Sequence, residues 1–360
     1  MSSRTQKSAF DDVITALLDP VNPFPAKLLH RFSDIKPEDL DSLKKIWLNV
    51  DSTRRVNLME DLEEINDSDT LVSFEDLARF TIKDPDARVR CASIRMLWDT
   101  GDTALAHDLI QITKHDDSEA ARAAAASGLG YYIYLGEIDE INDMLLDKVL
   151  NHLMVLLTSK DSLLVRRRAL EALSYHTNEE IDDHIRSAYH SGESDWVVSA
   201  LYAMGRSANP KWERMVLEMI ASPNPEIRAE AVRAAGELEL SAAREPLLIL
   251  LEEPEALEEE VFYNAVWSLS KIGGQGVRKR LEDIIANSDE ETAEELEDVL
   301  DNLDFTETVH GKMFEFELEG ISDAEGLIEF DLDPTDGAAD DGDEEAGRKH
   351  NPNRKPKRKA

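Results

Sequence analysis

A helix-forming pattern recurs along the middle of this 360-residue chain and limits what it can fold into. Six candidate helix pairs align on the small apolar residue that opens the second helix of each pair: Val89, Ala121, Val165, Val197, Ile227 and Val261. The intervals between these residues are 32, 44, 32, 30 and 34. Repeats of this length without a strand pattern are typical of a helical solenoid, whose units stack only on their neighbours. The 44-residue interval predicts a longer second helix, then a loop and a long first helix near residues 141–157.

Each unit carries the same local signals. A polar turn such as Lys83–Asp84–Pro85–Asp86 or Ser222–Pro223–Asn224–Pro225 precedes the second helix, which is often rich in alanine. Three second helices contain a glycine near the point where the apolar pattern stops: Gly130, Gly205 and Gly236. Because glycine readily takes the left-handed conformation that stops a helix, we expect these glycines to lie at the helix ends.

The repeated residues resemble those of the HEAT-repeat family, and of its PBS-lyase-like subgroup in particular. The matching sets are Asp84, Val89, Arg90, Ala92 and Leu97; Asp116, Ala121, Arg122, Ala125, Leu129 and Gly130; Asp161, Val165, Arg166, Ala169 and Leu173; and Ile227, Arg228, Ala231, Ala235 and Gly236. The resemblance implies an all-α, right-handed α-solenoid of about six helix pairs. It also implies that the second helices line the concave surface. It does not define a function, because such stacks serve many partners.

The pattern divides the chain into six parts. We expect a loose N-terminal lead-in (1–26), a helical N-terminal cap (27–72), the HEAT-like repeats (73–275), an acidic helical C-terminal cap (276–305), an acidic-hydrophobic segment (306–333) and a disordered tail that is first acidic and then basic (334–360). In the fifth part, Phe314, Phe316 and Leu318 alternate with glutamates, and Ile328, Phe330 and Leu332 alternate with acids. Alternation with period two predicts two strands of a β-hairpin.

Charge is unevenly distributed along the chain. The net charge is −36, which argues against broad nucleic-acid binding by the main body. Residues 281–347 hold 26 acidic residues and one lysine, whereas residues 348–360 hold seven basic residues and no acid. The basic residues are candidates for a tether to nucleic acid, a ribosome or an anionic surface: Arg348, Lys349, Arg354, Lys355, Lys357, Arg358 and Lys359. A solubilising tail is an equally good interpretation.

Two sets of residues invite a binding interpretation. The first is an arginine series with turn residues before it, for which we favour a structural role in pairing neighbouring repeats: Asp84, Arg90, Asp116, Arg122, Asp161, Arg166 and Arg228. The second is a set of aromatic residues in or near the second helices, which are candidates either for partner binding or for ordinary core packing: Tyr131, Tyr132, Tyr175, Tyr202, Tyr263 and Trp267. In the first repeat, Arg88, Cys91, Arg95 and Trp98 lie outside the shared pattern, so their outward-facing members are further candidates.

Catalytic signals are weak. No histidine has a zinc-ligand spacing, and none is followed by glutamate, as in the His-Glu pairs of HEAT-like di-iron hydroxylases. The single cysteine, Cys91, excludes an internal disulfide and fits a reducing compartment. No apolar run reaches the length of a membrane span, so we expect a cytoplasmic protein.

These observations favour a non-enzymatic scaffold or adaptor that binds protein through the concave face of the solenoid, with no cofactor. Two alternatives stay open. The chain could be a lyase-like enzyme or an enzyme accessory protein, or it could be a nucleic-acid- or ribosome-associated protein held by its basic tail.

Overall fold

The structure is a computed structural model that describes residues 10–296 and 298–308. All regular secondary structure in these residues is helical. The N-terminal part holds α1 (Asp11–Leu18), α2 (Pro37–Ile46) and α3 (Ser52–Ser68). Five short 3-10 helices occur along the described chain: Ala26–Phe32, Trp47–Asn49, Pro210–Trp212, Ser241–Ala243 and Pro254–Ala256.

Six helix pairs follow, and each is one repeat. They are α4 (Glu75–Thr81) with α5 (Ala87–Arg95), α6 (Thr103–His115) with α7 (Glu119–Glu137), α8 (Asp143–Leu157) with α9 (Leu163–Leu173), α10 (Glu179–Tyr189) with α11 (Ser194–Arg206), α12 (Glu213–Met219) with α13 (Pro225–Glu237), and α14 (Arg244–Leu250) with α15 (Glu259–Ile272). The long α7 and the start of α8 near residue 141 confirm the prediction made from the 44-residue interval.

The helices form two layers with the core between them. Each second helix packs on the first helix of its own repeat and on the second helices before and after it, in the order α3, α5, α7, α9, α11, α13 and α15. The core is mainly alanine, leucine and valine, whose small and branched side chains allow this close approach. The chain is therefore an all-α solenoid. No helix in the described ranges combines the length and apolarity needed to cross a membrane.

Side-chain caps fix where four of the six second helices begin. Asp86 accepts from the backbone N–H of Arg88, Ser118 from that of Ala121, and Ser162 from that of Val165. At the start of α13, the side chain of Asn224 accepts from the backbone N–H groups of Glu226 and Ile227. Because a cap satisfies backbone donors that have no partner inside the helix, these turns set the repeat boundaries.

The predicted glycine helix ends are right in position for two glycines and wrong in conformation for all three. Gly205 and Gly236 are the second-to-last residues of α11 and α13, Gly130 lies inside α7, and none has a positive φ. The left-handed residues come later, at Ala208 (φ 48°) after α11 and Glu239 (φ 49°) after α13. The glycines are instead points of close helix contact, since a Cβ on Gly236 would lie 2.8 Å from the Cα of Ser268 on α15.

The N-terminal lead-in is also more ordered than the sequence pattern predicts. Residues 11–18 form α1, and both Val13 and Leu17 are buried. Phe10 packs edge-on against Phe32, with the ring centroids 5.8 Å apart. Phe10, Val13 and Leu17 are spaced so that they lie on one face of a helix. Residues 1–26 are polar on average, so this short apolar spacing is easily overlooked in the sequence.

The C-terminal end of the described chain contains α16 (Val277–Asn287), α17 (Glu290–Glu295) and α18 (298–308). Helical structure thus extends three residues beyond the predicted boundary at residue 305. The predicted hairpin strands at 314–318 and 328–332, and the tail 334–360 with its basic residues, lie outside the described residues.

Candidate functional site

A groove of about 850 Å³ crosses four consecutive second helices. Its lining comes from α5, α7, α9 and α11 and from the residues directly after α5 and α9. Of the described residues that line it, none belongs to the first helix of a repeat. We call it the tyrosine groove after four of its lining residues: Tyr131, Tyr134, Tyr175 and Tyr202.

Three of these tyrosines form a continuous aromatic surface. Tyr131 and Tyr134 are three residues apart on α7 and share one face, with their rings stacked at a centroid distance of 6.1 Å. Tyr175 meets Tyr134 edge-on at 6.2 Å. Gly130 permits this approach of α9, because a Cβ there would lie 3.2 Å from the Cα of Ala172. Burial raises the pKa of Tyr175, so its phenol is a neutral hydrogen-bond donor at neutral pH.

Trp98 borders the same groove. It directly follows the first repeat's second helix, and 37% of its surface is exposed. Its indole N–H donates to the backbone carbonyl of Ala124 on α7 at 3.1 Å. The ring lies over Gly128, where a Cβ would come within 2.7 Å of it. The absence of a side chain at Gly128 therefore makes room for Trp98.

Arginines supply positive charge in the tyrosine groove. Arg95 Nη2 donates to Glu63 Oε2 at 2.6 Å, while Arg168 pairs with Glu171. The two arginine side chains keep 38% and 40% of their surface exposed, so a ligand in the groove can reach them. Glu171 is buried and also accepts from Ser199 Oγ at 2.6 Å, so its charge is already compensated.

Tyr202 contacts two guanidinium groups. The guanidinium carbon of Arg233 lies 4.7 Å from the ring centroid, and that of Arg206 lies 5.6 Å away. Arg233 is fixed by Glu230 and Glu237 on its own helix. Arg206 has only a longer contact, 3.5 Å from Nε to Glu237 Oε1. Cations over an aromatic face are attracted to it, so the ring of Tyr202 is held firmly in place.

One of the predicted partner-binding tyrosines is a core residue. Tyr132 is fully buried. Its hydroxyl donates towards the backbone carbonyls of Thr100 and Asp102 at 2.9 and 2.8 Å. The prediction of Tyr132 as a contact residue is therefore wrong, because the helix turns its side chain about 100° away from that of Tyr131.

Tyr263 and Trp267 lie on α15, away from the tyrosine groove. Tyr263 pairs with Glu295 through its hydroxyl, and the Nζ of Lys271 lies 6.0 Å from the Trp267 ring. The structure thus brings Tyr131, Tyr175 and Tyr202 together and leaves these two aromatic residues elsewhere.

The arginine series joins successive repeats. Arg90 clamps both oxygens of Asp116 at 2.8 and 2.6 Å and donates to the Asp84 carbonyl at 2.8 Å. Arg122 clamps Asp161 at 3.0 and 2.7 Å and donates to the Asp116 carbonyl at 2.9 Å. Donation by Arg122 lowers the pKa of Asp161 below its ordinary value. We call Arg90, Arg122, Arg166 and Arg228 the arginine ladder.

The later members of the arginine ladder differ in their partners. Arg228 pairs with Glu258 of the following repeat. Arg166 donates through Nε to the Leu157 carbonyl at 2.9 Å and lies over the Trp196 ring, 5.4 Å from its centroid. Arg166 makes no ion pair with any described residue.

Groups with catalytic potential are few in the described residues. The thiol of Cys91 is buried, and burial raises its pKa, which disfavours the reactive thiolate. Across residues 10–296 and 298–308, no three His, Cys, Asp or Glu side chains are grouped so that they could hold a metal ion.

Sequence reasoning missed part of the tyrosine groove. Tyr134, Arg168 and Arg206 line it but were not among the candidates. The signal for Tyr134 is its spacing of three residues from Tyr131 on a helix that continues to residue 137. Arg95 and Trp98, which depart from the repeat pattern, also line the groove.

Comparison with known proteins identifies the repeats. A model of HEAT repeats matches residues 74–174 and 213–301, which together make up more than half of the chain. The chain belongs to the HEAT-repeat family. The first matched range, residues 74–174, includes the helix pairs α4–α5 and α6–α7 and contains Asp84, Arg90 and Arg122. The second matched range, residues 213–301, includes the pair α14–α15.

Two solved structures are similar to this HEAT-repeat protein. YibA of Escherichia coli has 16% sequence identity and a TM-score of 0.41, over 78% of this chain and 96% of that chain. Human deoxyhypusine hydroxylase in complex with glycerol has 18% identity and a TM-score of 0.32, over 73% of this chain and 95% of that chain. No curated protein sequence is significantly similar to this one.

Proposed function

We propose that this HEAT-repeat protein is a non-enzymatic scaffold that binds a partner protein in the tyrosine groove. The observation that carries the proposal is the composition of the groove, which is lined by tryptophan, tyrosine and arginine: Trp98, Tyr131, Tyr134, Tyr175, Tyr202, Arg95, Arg168 and Arg206. These three residue types dominate the binding energy of protein interfaces, because they combine large apolar area with hydrogen-bond donors.

The placement of these side chains supports the same role. They come from four repeats that pack on one another, so their positions are fixed by helix packing and little order is lost on binding. Tyr134 is 43% exposed and Trp98 37% exposed, so a partner can contact part of each side chain. Three arginines and two acidic residues, Asp99 and Glu171, line the tyrosine groove, so it offers charged and polar contacts beside its apolar surface to a segment of mixed side chains.

The test compares binding by two matched variants. The double variant Tyr134→Ala/Tyr175→Ala removes the centre of the aromatic surface, whereas Tyr263→Ala removes a tyrosine from a second helix outside the groove. We expect a partner captured by the wild-type chain from native lysate, then purified, to bind the double variant at least about tenfold more weakly. Binding to Tyr263→Ala should be unchanged.

Equal binding of that partner to the wild type and the double variant would contradict the proposal. A version ending at residue 308 keeps the described helices and removes the tail. Retained binding by this version would place the contact on the repeats. Binding lost only on removal of residues 348–360 would instead favour the tail tether.

The alternative of a lyase-like enzyme or enzyme accessory has its own test. It requires a cofactor or metal in the purified protein, which metal analysis and an absorbance spectrum would detect. We place the scaffold in the cytoplasm, since its cysteine is free and a reducing compartment keeps it so.

A further inference from the structure

The arginine ladder has a regular geometry in its first two members. Arg90 and Arg122 each use Nε and Nη2 to clamp both oxygens of an aspartate in the next repeat. Their Nη1 groups donate to a turn carbonyl of their own repeat. The planar edge of each guanidinium is thus filled by a bidentate carboxylate, the arrangement that arginine favours.

Arg166 occupies the same position in the third repeat but has no carboxylate. Its hydrogen bond is from Nε to the Leu157 carbonyl at 2.9 Å, and neither Nη group bonds to a described residue. The sequence explains the difference. In the fourth repeat, the residue five positions before Val197 is Gly192. In the second repeat, the residue five positions before Ala121 is Asp116, so the fourth repeat has a glycine where the second has an aspartate. The nearby Asp195 is held by Arg167 at 2.6 Å instead.

Trp196 keeps the guanidinium of Arg166 in place. The guanidinium carbon lies over the ring, 5.4 Å from its centroid, and the ring attracts the cation. This attraction takes up no hydrogen-bond acceptor, so it does not satisfy the Nη donors. The Nη groups are therefore held in position with their donors unused by the described part of the chain.

A separate cavity lies at this point. It has a volume of about 210 Å³, and Arg166 and Trp196 line it together with Thr158, His184, Ser187 and Ser191. The cavity is large enough for a small tetrahedral or planar anion with water, since one water occupies about 30 Å³ in the liquid. The hydroxyl groups of Ser187 and Ser191 and the imidazole of His184 can donate further hydrogen bonds to the oxygens of such an anion, whereas Thr158 already donates to the Met154 carbonyl.

We propose that this cavity binds a single oxyanion, a carboxylate or a phosphate group, on the Nη donors of Arg166. The ligand supplies the oxygens that Asp116 and Asp161 supply to the two preceding arginines, but it binds the Nη groups alone, because Nε of Arg166 donates to the Leu157 carbonyl. This site involves neither the tyrosine groove nor the basic tail, and it can be present whether or not the groove binds a partner.

The experiment uses the full-length chain and follows the indole N–H of Trp196 by ¹H–¹⁵N NMR. Inorganic phosphate and acetate are titrated separately against sodium chloride at matched ionic strength. We expect a saturable shift of the Trp196 signal with an oxyanion and none with chloride. A shift with phosphate alone identifies a phosphorylated ligand, whereas a shift with both shows that a carboxylate is sufficient.

Variants tie the shift to the arginine. In Arg166→Gln the saturable shift should be lost. Arg186→Gln is the matched control, because Arg186 also lies over a tryptophan, 5.2 Å from the ring of Trp212, but is already paired with Asp183 at 2.9 Å. The control should titrate like the wild type.

Gly192→Asp keeps the proposal testable if Arg166→Gln does not fold. No atom lies within 4 Å of a Cβ added at Gly192, and aspartate tolerates its φ of 77° better than most residues. The new carboxylate should compete for Arg166 and weaken the oxyanion shift. No saturable shift in the wild type, or an unchanged shift in Arg166→Gln or Gly192→Asp, would overturn the proposal.

Discussion

At the scale of single residues, Asp84 joins the N-terminal cap to the first repeat. Its side chain is fully buried and accepts from the Trp47 indole at 2.6 Å. Arg55 Nη2 donates to Asp84 Oδ1 at 3.3 Å, and its Nε lies 3.0 Å from Oδ2, within ion-pair distance but not aligned for a hydrogen bond. We expect Asp84→Ala to lower the free energy of unfolding by about 3–5 kcal/mol, because Arg55 becomes a buried charge without a partner. Urea unfolding measures this loss.

The control for Asp84 is a carboxylate with the same kind of partner but more exposure. Glu258 pairs with Arg228, and 52% of the Glu258 side chain is exposed. Since solvent screens exposed pairs, Glu258→Ala should lower the free energy of unfolding far less than Asp84→Ala does. Losses of equal size in the two variants would show that burial does not set the strength of these pairs.

At the scale of helices, the glycines of the second helices set the distance between repeats. A Cβ on Gly236 would lie 2.4 Å from Ser268 Oγ and 2.8 Å from Ser268 Cα, so α15 would have to move away from α13. We expect Gly236→Ala to destabilise the protein by about 1–3 kcal/mol despite alanine's better helix propensity. Gly101→Ala is the control, since its Cβ would have only an ordinary contact of 3.6 Å with Leu135. Thermal unfolding of the two variants compares a crowded glycine with an uncrowded one that lies just before α6.

The same helices indicate how far the sequence predicts the fold. The repeat positions and the long α7 follow from spacing alone, because apolar residues must recur with the helix period to reach the core. The role of the glycines was misread, since both a left-handed helix end and a close helix contact call for the smallest residue. Only the neighbouring helix distinguishes them, as Ser268 does for Gly236.

Only part of the tyrosine groove was predictable from the sequence, because its shape depends on how neighbouring helices pack. The sequence placed Tyr131 and Tyr132 together as candidates, but a helix turns adjacent residues to different faces, so Tyr132 is buried. Residues from four repeats meet in the groove only after the helices stack. Spacing within one helix could have found Tyr134, whereas Arg206 depends on packing between repeats.

At the scale of the whole molecule, each repeat contacts mainly its neighbours, so local damage need not unfold the entire solenoid. His152 is a place where this can be tested. It lies on α8, and its Nε2 is 2.6 Å from Thr113 Oγ1 on α6. Thr113 donates its own hydroxyl proton to the Ile110 carbonyl at 2.9 Å, so the imidazole N–H is the donor to Thr113. The contact therefore joins two adjacent repeats through a neutral histidine.

Acid should destabilise the packing around His152 in a defined pH range. Burial, with repulsion from Lys114, lowers the pKa of His152 from 6.5 to about 4. The unfolded chain then binds the proton more readily than the folded one, so stability is lost as the pH falls from about 6.5 towards 4. Because the imidazole is only partly buried and solvent screens its charge, we expect a loss of about 1–2 kcal/mol. The carboxyl pKa of Asp161 is lowered, so its contribution is lost only below 3.8. Burial raises the pKa of Glu230, so its protonation favours the folded state and cannot cause the loss.

Hydrogen exchange at pH 7 and pH 5, corrected for the intrinsic rates, should locate the effect. We expect faster exchange at pH 5 in α6, α7 and α8 and no change in α13 and α15, because the disturbance passes only between neighbouring repeats. His152→Gln stays neutral and keeps a donor for Thr113, so it should remove the difference, whereas a variant of the exposed His190 should not. Faster exchange of equal size in every repeat would mean that the solenoid opens as one cooperative unit. Persistence of the local effect in His152→Gln would assign the acid sensitivity to another group.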